Sequence, residues 1–192
     1  DLKQDVQTAL SFKPPHISIY HLTIEPNTLF AKHPPVLPEE DDAYAMMDLI
    51  TEMTGQEGLQ RYEVSAYAKP GHRCWHNLNY WQFGDYLGIG AGAHSKITLP
   101  EQGTVIRVSK TRQPDKYLAR QGSLVAKNSP IATEDMAMEF MMNGLRLKGG
   151  VPAEYFPART GLHSASIDSQ VSSLQRQGLM ESGYDRYSAT PL

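Results

Sequence analysis

The apolar residues at the start of this chain switch between a four-residue and a two-residue period, and that alternation limits what it can fold into. Leu2, Val6 and Leu10 recur every four residues, which predicts a helix over 1–10. Pro14-Pro15 ends it, because a residue before proline avoids the helical region. His16 to Ile24 carries Ile17, Ile19, Tyr20, Leu22 and Ile24 and reads as a strand apolar on both faces, as a buried parallel strand is. Glu25-Pro26-Asn27-Thr28 has turn chemistry, and the three prolines within 31–38 predict a loop. Four acids, Glu39 to Asp42, then complement the positive N-terminus of a second helix. Ala43, Met46, Met47, Ile50 and Met53 form its stripe, in which the methionines read as core filler, and Gly55 and Gly58 form its stop. Arg61 to Ala68 returns to alternation, with Tyr62, Val64 and Ala66 on one face. Helix–strand–helix–strand at this spacing predicts parallel β/α units with right-handed crossovers.

Further along, Cys74 to Phe83 predicts a short aromatic helix and Asp85 to Ser95 a tight, glycine-rich strand or loop. Residues 104–108 read as a strand and 114–121 as a short helix. Thr133 is placed to cap a helix with Glu134 and Asp135 in its first turn and Ala137, Phe140, Met141, Gly144 and Leu145 on its apolar face. A short helix is expected near Pro152–Phe156. Another is expected from about Ser164 to Gln177 with Ile167, Val171 and Leu174 inward, then a hairpin over 179–187 turned at Ser182-Gly183. Three helices and a hairpin are the layout of a winged helix.

Composition removes several function classes. The 192 residues carry a single cysteine, Cys74, so neither a disulfide framework nor a site of several local thiolates is available. No apolar run approaches twenty residues, and no basic patch followed by an apolar run opens the chain. Asp1 falls inside what reads as a helix, without an initiator methionine, which suggests a portion of a larger protein. Charge is uneven: residues 99–130 hold 6 Lys/Arg against 2 Asp/Glu, net +4, while 1–98 hold 7 against 12, net -5, and 131–192 hold 5 against 7, net -2. The would-be recognition helix of the winged region carries only Arg176, so nucleic acid is not the expected partner.

Three clusters could carry chemistry. Gly88 to Ala93 matches G-x-G-x-x-A, but His94 to Pro100 makes a poor helix start, so a dinucleotide fingerprint is not expected. Its small side chains permit close approach, either of a flat ligand or of another stretch of backbone. His72, Cys74 and His76 alternate and would face one side of a strand as zinc ligands, yet no fourth ligand is evident and Cys74 has no local activating partner except these histidines. The densest constellation is His76-Asn77-Leu78-Asn79-Tyr80-Trp81. On a helix, His76 and Tyr80 share a face, imidazole is a good iron ligand, and the aromatics offer flat surfaces. The competing reading is an aromatic helix used only for packing.

The strings HLTIEPNT (21–28), YEVSAYAKPG (62–71), HNLNYW (76–81), YLGIGAGAHS (86–95) and EFMMNGLRLKGGV (139–151) carry a resemblance. They are similar to the C-terminal half of radical S-adenosylmethionine proteins related to oxygen-independent coproporphyrinogen III oxidase. HNLNYW resembles the signature of the haem-chaperone branch of that family. The resemblance implies an α/β fold: the last β/α units of a partial TIM-like barrel over 1–98, a connecting basic segment over 99–130, and a helical, winged-helix-like C-terminal domain over 131–192. It implies a [4Fe–4S] cluster and S-adenosylmethionine held mostly by residues this chain lacks, since its one cysteine cannot form the family's three-cysteine loop. Carried over by position, Thr23 and His94 fall in the vicinity of S-adenosylmethionine, and His76, Tyr80 and Trp81 become the candidate haem contacts. Arg107, Lys110 and Arg112 are expected partners for propionates. The implied function is haem binding and transfer in the cytoplasm to a recipient protein, one that could be membrane-associated. The alternative is the anaerobic oxidase of porphyrin biosynthesis. An incomplete barrel is also expected to self-associate through exposed edges.

Overall fold

A computed structural model describes residues 1–191. The chain forms two compact units, residues 1–74 and the residues from 75 onward.

In the first unit, α1 (Leu2–Ser11) is capped by the Asp1 carboxylate, which accepts from Lys3 N, and it buries Val6 and Leu10. It is followed by β1 (His16–Ser18), a single turn α2 (Leu29–Lys32), α3 (Glu40–Gln56), β2 (Gln60–Glu63) and β3 (Ala66–Ala68). Ile50, Met53 and Leu59 pack with Val6, Leu10 and Tyr67 into one core, so the four-residue repeats point where expected. The strands depart from expectation. The stretch 61–68 is a tight hairpin, and both β1 and β2 pair with β3 antiparallel in the order β1-β3-β2. β1 and β2 do run the same way, but β3 lies between them. The turn at Val64-Ser65 holds no glycine or proline; the Arg61 guanidinium closes it instead by donating twice to Val64 O, at 3.2 and 2.7 Å. The strand expected over 16–24 ends at Ser18, and Tyr20, Leu22, Leu29, Phe30 and Val36 are exposed.

In the second unit, α4 (Trp75–Trp81) leads into β4 (His94–Leu99), β5 (Thr104–Lys110), α5 (Pro114–Ala119) and β6 (Val125–Pro130), with the sheet order β4-β5-β6, all antiparallel. α6 (Thr133–Gly144), β7 (Val151–Pro152), α7 (Tyr155–Thr160), α8 (Asp168–Arg176) and β8 (Arg186–Tyr187) complete it. Thr133 is the first helical residue of α6 and Ala132 the cap, without a side-chain capping bond. The helix expected over 164–177 is a 3-10 turn, Ser164–Ser166, followed by α8. β8 pairs with β7, and the wing extends further, with Met180 bridging Ala189. The core is an aromatic ladder: Phe83, Phe140, Phe156 and Tyr187 meet edge-to-face at centroid distances of 5.7, 5.3 and 6.4 Å. Such pairs add about 0.5–1.5 kcal/mol each beyond burial. Gly150 (φ +64°) lets the ladder close, because a Cβ there would stand 2.2 Å from Tyr187 O. The mixed α/β class with a helical C-terminal region agrees with the sequence reading.

Candidate functional site

The HNLNYW string lies on α4, and the next two residues decide how that helix ends. Phe83 adopts the left-handed conformation (φ +61°), its N–H donates to Tyr80 O, and Gly84 N donates to Asn79 O at 2.7 Å. This is a Schellman closure with phenylalanine where glycine is usual. Burial of the Phe83 ring in the ladder offsets the conformational cost. A Cβ at Gly84 would meet Asn79 Oδ1 at 2.0 Å, and Asn79 Nδ2 donates to Asp85 O at 2.9 Å. The second asparagine of the string therefore ties the helix end to the following loop.

That loop is clamped to the sheet. Tyr86 exchanges two backbone hydrogen bonds with Lys96, at 3.0 and 3.1 Å. The Lys96 ammonium, 3% exposed, donates to Asp85 Oδ1 at 3.0 Å and sits 4.2 Å from the Phe83 ring centroid. Burial pushes the Lys96 pKa down, opposed by Asp85. Burial also pushes the Asp85 carboxyl up, but the Thr98 N–H, the Lys96 ammonium and the Thr98 hydroxyl together outweigh it and hold it below the usual carboxylate range.

His76 and Tyr80 share a face as their spacing requires, with ring centroids 4.7 Å apart and planes at 65°. His76 is exposed, and among the described residues neither of its ring nitrogens enters a hydrogen bond. Tyr80 stacks on Tyr86 at 4.1 Å with a 28° tilt and lies 6.3 Å from Trp81. Burial, then the neighbouring Tyr86 hydroxyl, raise the Tyr80 pKa. One face of Trp81 is occupied by the Arg146 guanidinium at 4.2 Å, and the indole N–H is buried without a partner. The site is thus an outward imidazole on an aromatic bed, with an indole on the same helix that the Arg146 guanidinium covers from beyond the end of α6.

The structure brings His76, Tyr80 and Trp81 together but not the rest of the expected set. Thr23 is exposed on a segment without regular structure in the first unit. His94 is exposed at the first position of β4, opposite Ser109, in the second. The small-residue run between Gly88 and Ala93 answers to backbone approach: a Cβ on Gly88 would lie 2.2 Å from His94 O, and Gly90 (φ +102°) and Gly92 (φ +71°) turn the chain back to Thr111. Arg107 is ion-paired with Glu139. Among the described residues, no group of three His, Cys, Asp or Glu side chains is arranged to hold a metal ion. The signal missed in the sequence was Tyr86, six positions beyond Tyr80 and brought back onto it only by the 83–85 turn.

These features can be set beside known proteins. Residues 131–192 match the family model described as the HemN C-terminal domain. Over 186 residues the chain is 43% identical to "Heme chaperone HemW" of Escherichia coli (strain K12), covering 97% of this chain and 48% of that protein. It is 32% identical over 165 residues to "Heme chaperone HemW" of Bacillus subtilis (strain 168), covering 83% of this chain and 42% of that one. Nearly the whole of this chain is thus similar to a part of these proteins. The chain spans about half the length of the curated relatives it matches. The solved structure of coproporphyrinogen III oxidase (HemN) from Escherichia coli, described as a radical SAM enzyme, superposes with a TM-score of 0.67 at 13% identity, over 96% of this chain and 46% of that one. That likeness speaks to the fold. The family's iron–sulfur cluster does not fit the donors here: a [4Fe–4S] cluster is held by several thiolates, and Cys74 is the chain's one cysteine. No helix among the described residues is long and apolar enough to cross a membrane.

Proposed function

We propose that this chain is the haem-handling C-terminal portion of a radical S-adenosylmethionine haem chaperone. His76 carries the reading. It is an exposed imidazole with both nitrogens available, fixed at one end by an aromatic bed, and neutral imidazole is a good axial ligand for haem iron. Tyr80 holds the ring's orientation and gives the macrocycle a flat edge. Lys110 and Arg112 of the basic segment supply charge of the kind propionates pair with. Arg107 is committed to Glu139 and serves the site's framework instead.

The whole protein would bring a cluster and S-adenosylmethionine from residues outside this chain, with Thr23 and His94 toward the latter. It would pass haem to a recipient protein, soluble or membrane-associated, in the cytoplasm. The relatives named as haem chaperones favour this over the oxidase alternative. The test is a haem titration of the chain against its His76→Ala variant. The variant should lose the wild-type Soret position and bind at least about ten-fold more weakly, which corresponds to about 1.4 kcal/mol. An unchanged Soret band and affinity would remove His76 from the role.

A further inference from the structure

The HNLNYW helix is supported from a second string of the sequence, and that support has a direction. Tyr86 opens that string, just past the 83–85 turn that closes the helix. The Tyr86 ring stacks on Tyr80 at 4.1 Å, and Tyr80 meets the His76 ring at 4.7 Å. The backbone of Tyr86 cannot drift, because two hydrogen bonds bind it to the buried Lys96. His76, by contrast, has no hydrogen bond among the described residues to orient it. Its ring meets the Tyr80 ring, and Tyr80 is itself stacked on Tyr86.

We propose that Tyr86, anchored by its backbone pairing with Lys96, is the positioning residue of the His76 face, setting the orientation of the imidazole through Tyr80. A histidine that ligates a metal is commonly oriented by a hydrogen bond from its second nitrogen. Here aromatic stacking does that work and leaves both nitrogens open. Orientation is thereby achieved without choosing a tautomer, which suits a residue that must both take up and release its cargo. This positioning role deepens the haem reading and rests on it for its purpose, though not for its geometry.

The test separates the two. The His76 ring protons are assigned in the NMR spectrum of the full 192-residue chain by their loss in His76→Ala, without haem present. Tyr86→Leu removes the stack and is expected to shift these resonances toward the values of a free histidine, while Tyr86→Phe keeps the ring and leaves them nearly in place. Tyr86→Met also removes the aromatic face while filling the space with a flexible chain, and is expected to move them in the same direction; it covers the case in which Tyr86→Leu does not fold. In the haem titration, Tyr86→Leu should weaken binding by about ten-fold and broaden the Soret band, and Tyr86→Phe by less than about three-fold. Unmoved His76 resonances in folded Tyr86→Leu, or in Tyr86→Met should the first not fold, overturn the positioning role. Resonances that move while neither wild type nor variant binds haem leave the positioning role standing and sink the haem reading alone.

Discussion

The two units are stabilised by different materials. The first relies on aliphatic packing between two helices: Val6 and Leu10 of α1 against Ile50 and Met53 of α3, with Leu59 and Tyr67 from the strands. It leaves a run of large apolar residues from Tyr20 to Tyr44 facing solvent. The second is built on a ladder of aromatic rings that begins at Phe83, just past the candidate site's helix, and ends at Tyr187 in the wing. Aromatic edges and faces have preferred angles that aliphatic contacts lack, so a ladder holds geometry as well as mass. The contrast places the fixed geometry beside the site, while large apolar side chains face solvent in both units, Leu87 and Ile89 among them in the second.

The largest effect that could break this contrast comes from the ladder's centre. Phe140→Ala should cost about 3–5 kcal/mol. Both tryptophans, Trp75 and Trp81, belong to the second unit, so their fluorescence in a urea titration reports that unit. Leu59→Ala, a loss of about 2–5 kcal/mol in the first unit, should shift the far-ultraviolet circular dichroism transition and leave the fluorescence midpoint in place. Equal shifts of both signals in both variants would erase the distinction.

A smaller effect is expected in acid. The Asp85 carboxyl is held below its ordinary value in the folded chain, so its contribution is complete above about pH 3.9 and is lost as pH falls through the lower folded value. The fluorescence midpoint should drop over that window, and Asp85→Asn should flatten the drop; an Asp85→Asn profile identical to wild type would refute the assignment. The smallest effect sharpens the surface half of the contrast. Val36 and Tyr184, both fully exposed, should each be replaceable by serine within about 0.5 kcal/mol. Only Val36→Ser should lower the mass measured by light scattering, if the first unit's apolar surface drives self-association as proposed.

Helices α1, α3, α4 and α6 were legible in the sequence because their apolar residues recur at helical spacing and their ends carry turn or stop residues. The strands were less so. The 61–68 stretch alternates cleanly, so it reads as one strand; nothing in its composition announces the turn that Arg61 closes from its side chain. β6, Val125–Pro130, is an exposed edge strand with Lys127, Asn128 and Pro130, and carries almost none of the usual apolar signature. The His76–Tyr80 pair was legible because helical spacing dictates it. Tyr86 was not, because its place against Tyr80 depends on a left-handed Phe83 and on hydrogen bonds to a strand ten residues further on.

Lys96 has a consequence for chemical labelling. Every other lysine in the chain is half-buried or exposed, whereas this one lies sealed between a carboxylate and a phenyl face. An amine-acylating reagent will mark the other lysines first and reach Lys96 only when the turn beside it lifts from the strand. Its slow modification is therefore a clock, native to the molecule, for how often the floor beneath the imidazole comes loose.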